Sequence, residues 1–202
     1  MLTIHHLNRS RSKRVLWLLE ELGTPYTRVD HQRDSLTYLA PNSLKAVHPL
    51  GKAPVMIDGP ITLCESSTIV EYIIDQDSEH RLRPPLGSAE YYDYMSWCHF
   101  AEGSLALPII MSGLMRAETR DGKQPMDGYI AKEAHVDFSY IETTLSKQAY
   151  FAGSEFTAAD IMMTISLEMA KRAKLLEGKT HTLAYLEKVQ QRPAYIKAIS
   201  FG

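Results

Sequence analysis

A chain of 202 residues has room for one or two domains, and 45% hydrophobic residues is enough for packed cores and excludes a disordered chain. A net charge of −2 provides no global field to recruit nucleic acid or an anionic membrane, so neither partner is expected. The cysteines, Cys64 and Cys98, are too few for a disulfide framework, no stretch reaches the roughly 18 apolar residues of a membrane span, and Met1 to Leu22 holds no uninterrupted apolar core, so a cytoplasmic protein is expected.

Leu2 to Leu7 has the pattern of a first strand, with Leu2, Ile4 and His6 on one face. Asn8-Arg9-Ser10-Arg11-Ser12 is loop and cap chemistry. Val15, Leu16, Leu18, Leu19 and Leu22 then recur at helical spacing, and Gly23 and Pro25 stop that helix. Tyr26 to Asp30 reads as a second strand, so the unit predicts parallel pairing through a right-handed crossover. Lys13 and Arg14 stand at the positive end of the helix, where basic residues cost about 0.3–1 kcal/mol each. A site that must hold an anion accounts for the misfit; a solvated basic turn is the alternative.

Gln32 to Val47 is polar and irregular, with one short helical turn expected after Pro41. Lys52-Ala53-Pro54-Val55 places a proline at the start or edge of a strand, where the Ala53 backbone is free to pair with an extended peptide. Val55-Met56-Ile57 and Ile61-Thr62-Leu63-Cys64 flank Asp58-Gly59-Pro60, which predicts an antiparallel hairpin. Glu65-Ser66-Ser67 then opens a helix carried by Ile69, Val70, Ile73 and Ile74. A serine at a helix start caps N–H groups, and those groups with the helix dipole attract a carboxylate. Ser66 and Glu65 thus complement the carboxylate and ammonium of an amino-acid head group, as at one end of a small peptide.

Asp77 to Gly87 is charged and contains Pro84-Pro85, the chemistry of a linker. The expected organisation is an α/β domain over residues 1–77, a linker over 78–87, and an all-helical domain over 88–202. Ala89 to Met115 predicts a long helix bent at Pro108, and Asp127 to Lys147 a second. Thr157 and Asp160 form a variant capping box ahead of a third, assigned to folding rather than chemistry. A last helix is expected from about Leu183 to Gln191, ending before Pro193. His5 and His6 alternate across a strand and no paired ligand spacing occurs, so no metal site is expected.

The run P-L-G-K-A-P-V, the hairpin, and E-S-S, together with S-R-S-K-R-V-L-W-L-L-E-E-L-G-T-P-Y near the start, resembles the glutathione S-transferases over essentially the whole chain. The resemblance implies a thioredoxin-like N-terminal domain followed by an all-helical C-terminal domain. It also implies glutathione as co-substrate, a homodimer, and attack of the glutathione thiolate on a small apolar electrophile. Peroxidase, isomerase or dehalogenase chemistry on the same fold, or a non-catalytic binding module, are the alternatives.

The loop ahead of the first helix offers Asn8, Ser10 and Ser12 as donors to the thiolate. Serine-type members place the active serine four residues before an arginine, which matches Ser10 and Arg14, with Ser12 second and a plain capping role for either as the alternative. The resemblance further gives Ser66 the γ-glutamyl carboxylate, Glu65 the ammonium, the Ala53 backbone before Pro54 the cysteinyl unit, and Lys52 the glycyl carboxylate. Where relatives carry a further polar residue this chain has Leu39 and Ala40, with Lys45 and His48 as substitutes. Tyr91, Tyr94, Met95, Trp97, Cys98, His99, Phe100, Met111 and Met115 divide between helical core and electrophile pocket. Cys64 and Cys98 are expected to be small buried hydrophobes.

Overall fold

The computed structural model describes residues 1–202. The chain divides into two compact units, Met1–Leu82 together with Gln190–Gly202, and Arg83–Val189.

The first unit is built on a four-stranded sheet in the order β2-β1-β3-β4. Its strands are β1 (Thr3–Leu7), β2 (Thr27–His31), β3 (Val55–Asp58) and β4 (Ile61–Cys64). β1 and β2 pair in parallel through helix α1 (Ser12–Leu22), and β1–β3 and β3–β4 are antiparallel. Asp58 pairs with Ile61, so it ends β3 and the hairpin turn narrows to Gly59-Pro60. Gly59 takes φ 55°, the left-handed backbone that a tight turn requires.

β1 is buried on both faces because helices cover both. On one face, Leu7 and Val55 pack against Leu44 of the short helix α2 (Asn42–Lys45), with Ala53 beside them. On the other face lies α1, whose Val15 to Leu19 are fully buried. Gly23 ends α1 in the left-handed conformation, its N–H bonding to the Leu19 carbonyl. α3 (Ser66–Gln76) packs on α1 through a stripe of Ile69, Val70, Ile73 and Ile74.

The end of the chain requires a correction, since the last helix was expected to stop before Pro193. Pro193 instead opens a helix, α9 (Pro193–Ile199), at the first position, where its missing N–H is no loss. α9 packs on α1, with Tyr195 edge-on to Trp17 at 5.0 Å between ring centroids. Lys197 bonds Glu20 at 2.6 Å, and the Arg28 guanidinium lies 4.0 Å over the Phe201 ring.

The second unit is all helical: α4 (Ala89–Gly103), α5 (Ala106–Met115), α6 (Pro125–Leu145), α7 (Ala158–Arg172) and α8 (Thr180–Val189). The expected bend is a break. In a continuous helix Pro108 would clash with the carbonyl four residues back, and the helix is interrupted at Ser104–Leu105. By length and average composition, Ala89–Met115 is the one helical run apolar enough to cross a membrane, although no unbroken apolar stretch of that length occurs in it.

α7 is almost wholly buried and begins at the expected box. Asp160 Oδ2 accepts from the Thr157 N–H at 2.8 Å and hydroxyl at 3.2 Å, while Oδ1 accepts from the Phe151 N–H at 3.1 Å and the Tyr185 hydroxyl at 2.8 Å. Glu142 of α6 accepts from the His181 and Thr182 N–H groups at 2.9 Å each, which caps α8 from a neighbouring helix.

Candidate active site

The strand registers bring three loops to one end of the sheet. His5 pairs with Val55, and Val55 with Cys64. The loop leaving β1, the approach to β3, and the exit from β4 therefore share an edge. Those segments carry Ser10, Lys52-Ala53-Pro54 and Glu65-Ser66 respectively. Residues spread over 57 positions of sequence thus converge because two antiparallel pairings place them there.

The three candidate donors differ in freedom. The Asn8 side-chain oxygen accepts from the Arg33 N–H at 2.8 Å, which pins it to the segment after β2. Ser12 is fully buried, and its hydroxyl lies 2.8 Å from His6 Nδ1 and 2.6 Å from Ser10 Oγ. Ser10 is half-buried and is the less buried of the two hydroxyls. It also accepts from the Ser12 N–H at 3.2 Å, so it serves α1 as a partial cap as well. Arg14, four residues on, is fully buried, so the basic first turn of α1 is not a solvated face.

Ala53–Pro54 is a cis peptide, and Pro54 is buried. Lys52 is exposed. Gly51 has φ +57° and lies so close to Lys45 that an added Cβ would meet Lys45 Cγ at 2.6 Å. Lys45 therefore runs alongside the Lys52 loop.

At the third loop the structure alters one detail. Glu65, not Ser66, holds the cap position of α3, and no side chain caps the helix. Ser66 is its buried first residue. Glu65 has φ 75°, a conformation rare for a non-glycine residue and costing about 1–3 kcal/mol. The Glu65 carboxylate is exposed beside helix N–H groups that no side chain caps, which places a negative group next to a positive helix end.

The comparisons decide the family. The profile described as glutathione S-transferase, N-terminal domain, matches residues 4–81, and the corresponding C-terminal domain profile matches residues 104–193. Glutathione S-transferase 3 of Schizosaccharomyces pombe is 31% identical over 210 residues, covering 96% of this chain and 85% of the relative. The chain belongs to the glutathione S-transferase family.

Solved glutathione S-transferases agree with this. One from Actinobacillus pleuropneumoniae superposes with a TM-score of 0.91 at 30% identity, covering 100% of this chain and 92% of its own. A glutathione transferase of Phanerochaete chrysosporium in complex with oxidized glutathione shares the fold, with a TM-score of 0.79 at 22% identity over 99% and 95% of the two chains. The thioredoxin-like first unit and the helical second unit are those of the glutathione S-transferases.

Part of the aromatic stripe on α4 is core. Tyr94, Trp97 and Cys98 are buried, and Trp97 stacks on Tyr140 at 4.9 Å and meets Phe151 at 4.7 Å. Met115 instead lines a cleft of about 530 Å³ within the helical unit, with Ile130, Phe138 and Leu175 as apolar wall and Arg116 and Lys179 among its charged residues. Cys98 is buried, as expected, but Cys64 is only partly so, and neither is in a disulfide. Sequence reasoning missed the contact of His6 with Ser12. Its alternation on β1 placed it opposite His5, but nothing local indicated that it would meet Ser12.

Proposed function

We propose that this glutathione transferase uses the Ser10 hydroxyl to hold the glutathione sulfur as a thiolate for attack on a small apolar electrophile. The supporting observation is the position of Ser10: the least buried hydroxyl of its loop, at the sheet end that also carries Pro54 and Ser66. A free thiol has a pKa near about 8.5 and is mostly protonated at neutral pH. Lowering it by about two units takes roughly 2.7 kcal/mol of preference for the thiolate. One charge-assisted hydrogen bond, worth about 1.5–3 kcal/mol, is of that size.

The remaining contacts follow the chemistry of the tripeptide. Glu65 pairs with the γ-glutamyl ammonium, and Ser66 with the α3 N-terminus takes the carboxylate. The Ala53 backbone pairs with the cysteinyl unit, as an edge strand pairs with an added one. Lys52 and Lys45 face the glycyl carboxylate. Two cysteines outside any disulfide suit a reducing compartment, and the reading carries a cytoplasmic homodimer with it.

The test is conjugation of glutathione to an activated aryl halide, measured for the wild type and for Cys64→Ala with Cys98→Ala. Retention on immobilised glutathione and activity surviving the loss of both cysteines are expected. A protein that neither binds the column nor conjugates would be a scaffold. Activity lost with the cysteines would make it a thiol-based reductase.

A further inference from the structure

His6 is almost fully buried on β1, and the function proposed above does not use it. It begins a continuous chain of polar contacts that ends at Ser10. His6 Nε2 lies 3.2 Å from the Gly202 backbone oxygen, His6 Nδ1 lies 2.8 Å from Ser12 Oγ, and Ser12 Oγ lies 2.6 Å from Ser10 Oγ. A backbone oxygen can only accept, so Nε2 carries a hydrogen whatever the charge of the ring.

The directions of the other bonds then follow from a count of hydrogens. In neutral His6, Nδ1 is bare and accepts the single Ser12 hydroxyl hydrogen. Ser12 has none left for Ser10, so Ser10 must donate inward to fill the 2.6 Å contact. In that state Ser10 shows a ligand only its oxygen, which suits a thiol S–H. In charged His6, Nδ1–H donates to Ser12, which also accepts from the Leu7 N–H at 3.4 Å; Ser12 then donates to Ser10 at 2.6 Å in preference to the Leu7 carbonyl at 3.5 Å, and the Ser10 hydrogen is released outward, which suits a thiolate. A thiolate held by Ser10 against neutral His6 would leave one link of the chain without a hydrogen.

We propose that His6 is a positioning residue that sets the direction of the Ser10 hydroxyl through Ser12, so that ionisation of bound glutathione is coupled to protonation of His6. This rests on Ser10 being the thiolate partner. The balance closes without another reactant. The thiol hydrogen passes to Ser10, the Ser10 hydrogen to Ser12, and the Ser12 hydrogen to Nδ1, which leaves a thiolate and an imidazolium.

The surroundings set the resting state. Burial, the largest effect, pulls His6 below the ordinary imidazole range; Asp30 on β2 and the Gly202 backbone oppose it, and Arg28 on β2 and Lys13 on α1 add to it. His6 therefore rests neutral at pH 7, with the Ser10 hydrogen pointing inward, and the thiolate draws the proton in.

The experiment is histidine ring nitrogen NMR of the full chain at pH 7, paired with thiolate absorbance in the same samples. His6 should show a neutral ring protonated at Nε2 when free. It should become doubly protonated on adding glutathione and stay neutral on adding S-methylglutathione, which has no thiol to ionise. Ser12→Ala, a small change at a buried site, should uncouple the two: glutathione binds but the His6 signal stays neutral. The apparent pKa of the bound thiol should rise by about half to one unit, the worth of one ordinary hydrogen bond. A wild type that forms the thiolate while His6 stays neutral overturns this inference and leaves the role of Ser10 standing. A wild type that binds glutathione without forming a thiolate overturns both.

Discussion

Arg192 grips Glu21 with two nitrogens, at 2.6 and 2.8 Å, across 171 residues of sequence. The same Glu21 carboxylate accepts from Trp17 Nε1 at 2.8 Å, so a single side chain on α1 orients both the indole beneath α9 and the residue that precedes it. Glu21→Ala should remove about 1.5–3 kcal/mol of stability, toward the lower end because Arg192 is one third exposed. Thermal unfolding measures it. A melting temperature within a degree of wild type would mean that α9 holds by apolar packing alone.

Asp160 accepts four hydrogen bonds at a fully buried site. Asp160→Ala strands the donors of Thr157, Phe151 and Tyr185 and should cost at least about 2 kcal/mol. Calorimetry should show the melting temperature falling well before the binding constant for glutathione changes. Weakened binding in protein that unfolds normally would give Asp160 a part in the site.

His5, His6 and His31 are all held below the ordinary imidazole value of 6.5, in each case chiefly by burial. His5 Nδ1 and His31 Nε2 lie 3.0 Å apart, where one hydrogen fits and two do not. Below about pH 6.5 the unfolded imidazoles take up protons that the folded ones refuse. Stability should therefore be level above that pH and decline beneath it, until the folded groups also titrate. Melting temperatures from pH 7.5 to 5.5 check this, and His31→Gln should flatten the decline. A melting temperature that rises on acidification would reverse the assignment.

Gly51→Ala places a methyl group 2.6 Å from Lys45 Cγ on a backbone at φ +57°. The strain costs about 1 kcal/mol or more, and the lysine stem has to move. Glutathione should bind up to about five-fold more weakly, the scale of one exposed ion pair, while γ-glutamylcysteine, which lacks the glycyl carboxylate, is spared that loss. Titration calorimetry with both ligands separates the outcomes. Equal weakening would remove Lys45 from the glycyl end.

The local elements could be read from the residues themselves. Asp58-Gly59-Pro60 between two apolar runs marks the hairpin, Gly23 and Pro25 mark the end of α1, and the pairing of β1 with β2 follows from the length between them. Contacts distant in sequence could not be read that way. Pro193 marks either the end of one helix or the start of another, and only the packing of Tyr195 on Trp17 decides it. Glu65 carries no composition signal for φ 75°; it is the single residue between β4 and α3. His6 looked like one alternating strand position among several. Its place behind Ser12 depends on how α1 folds back over β1.

The account stands or falls on the sulfur of bound glutathione. Thiolate absorbance should be titrated for glutathione bound to the wild type and to Ser10→Ala. The wild type should ionise the thiol with a pKa near about 6.5, and Ser10→Ala should return it toward about 8.5. Identical titration curves for the two proteins would contradict it.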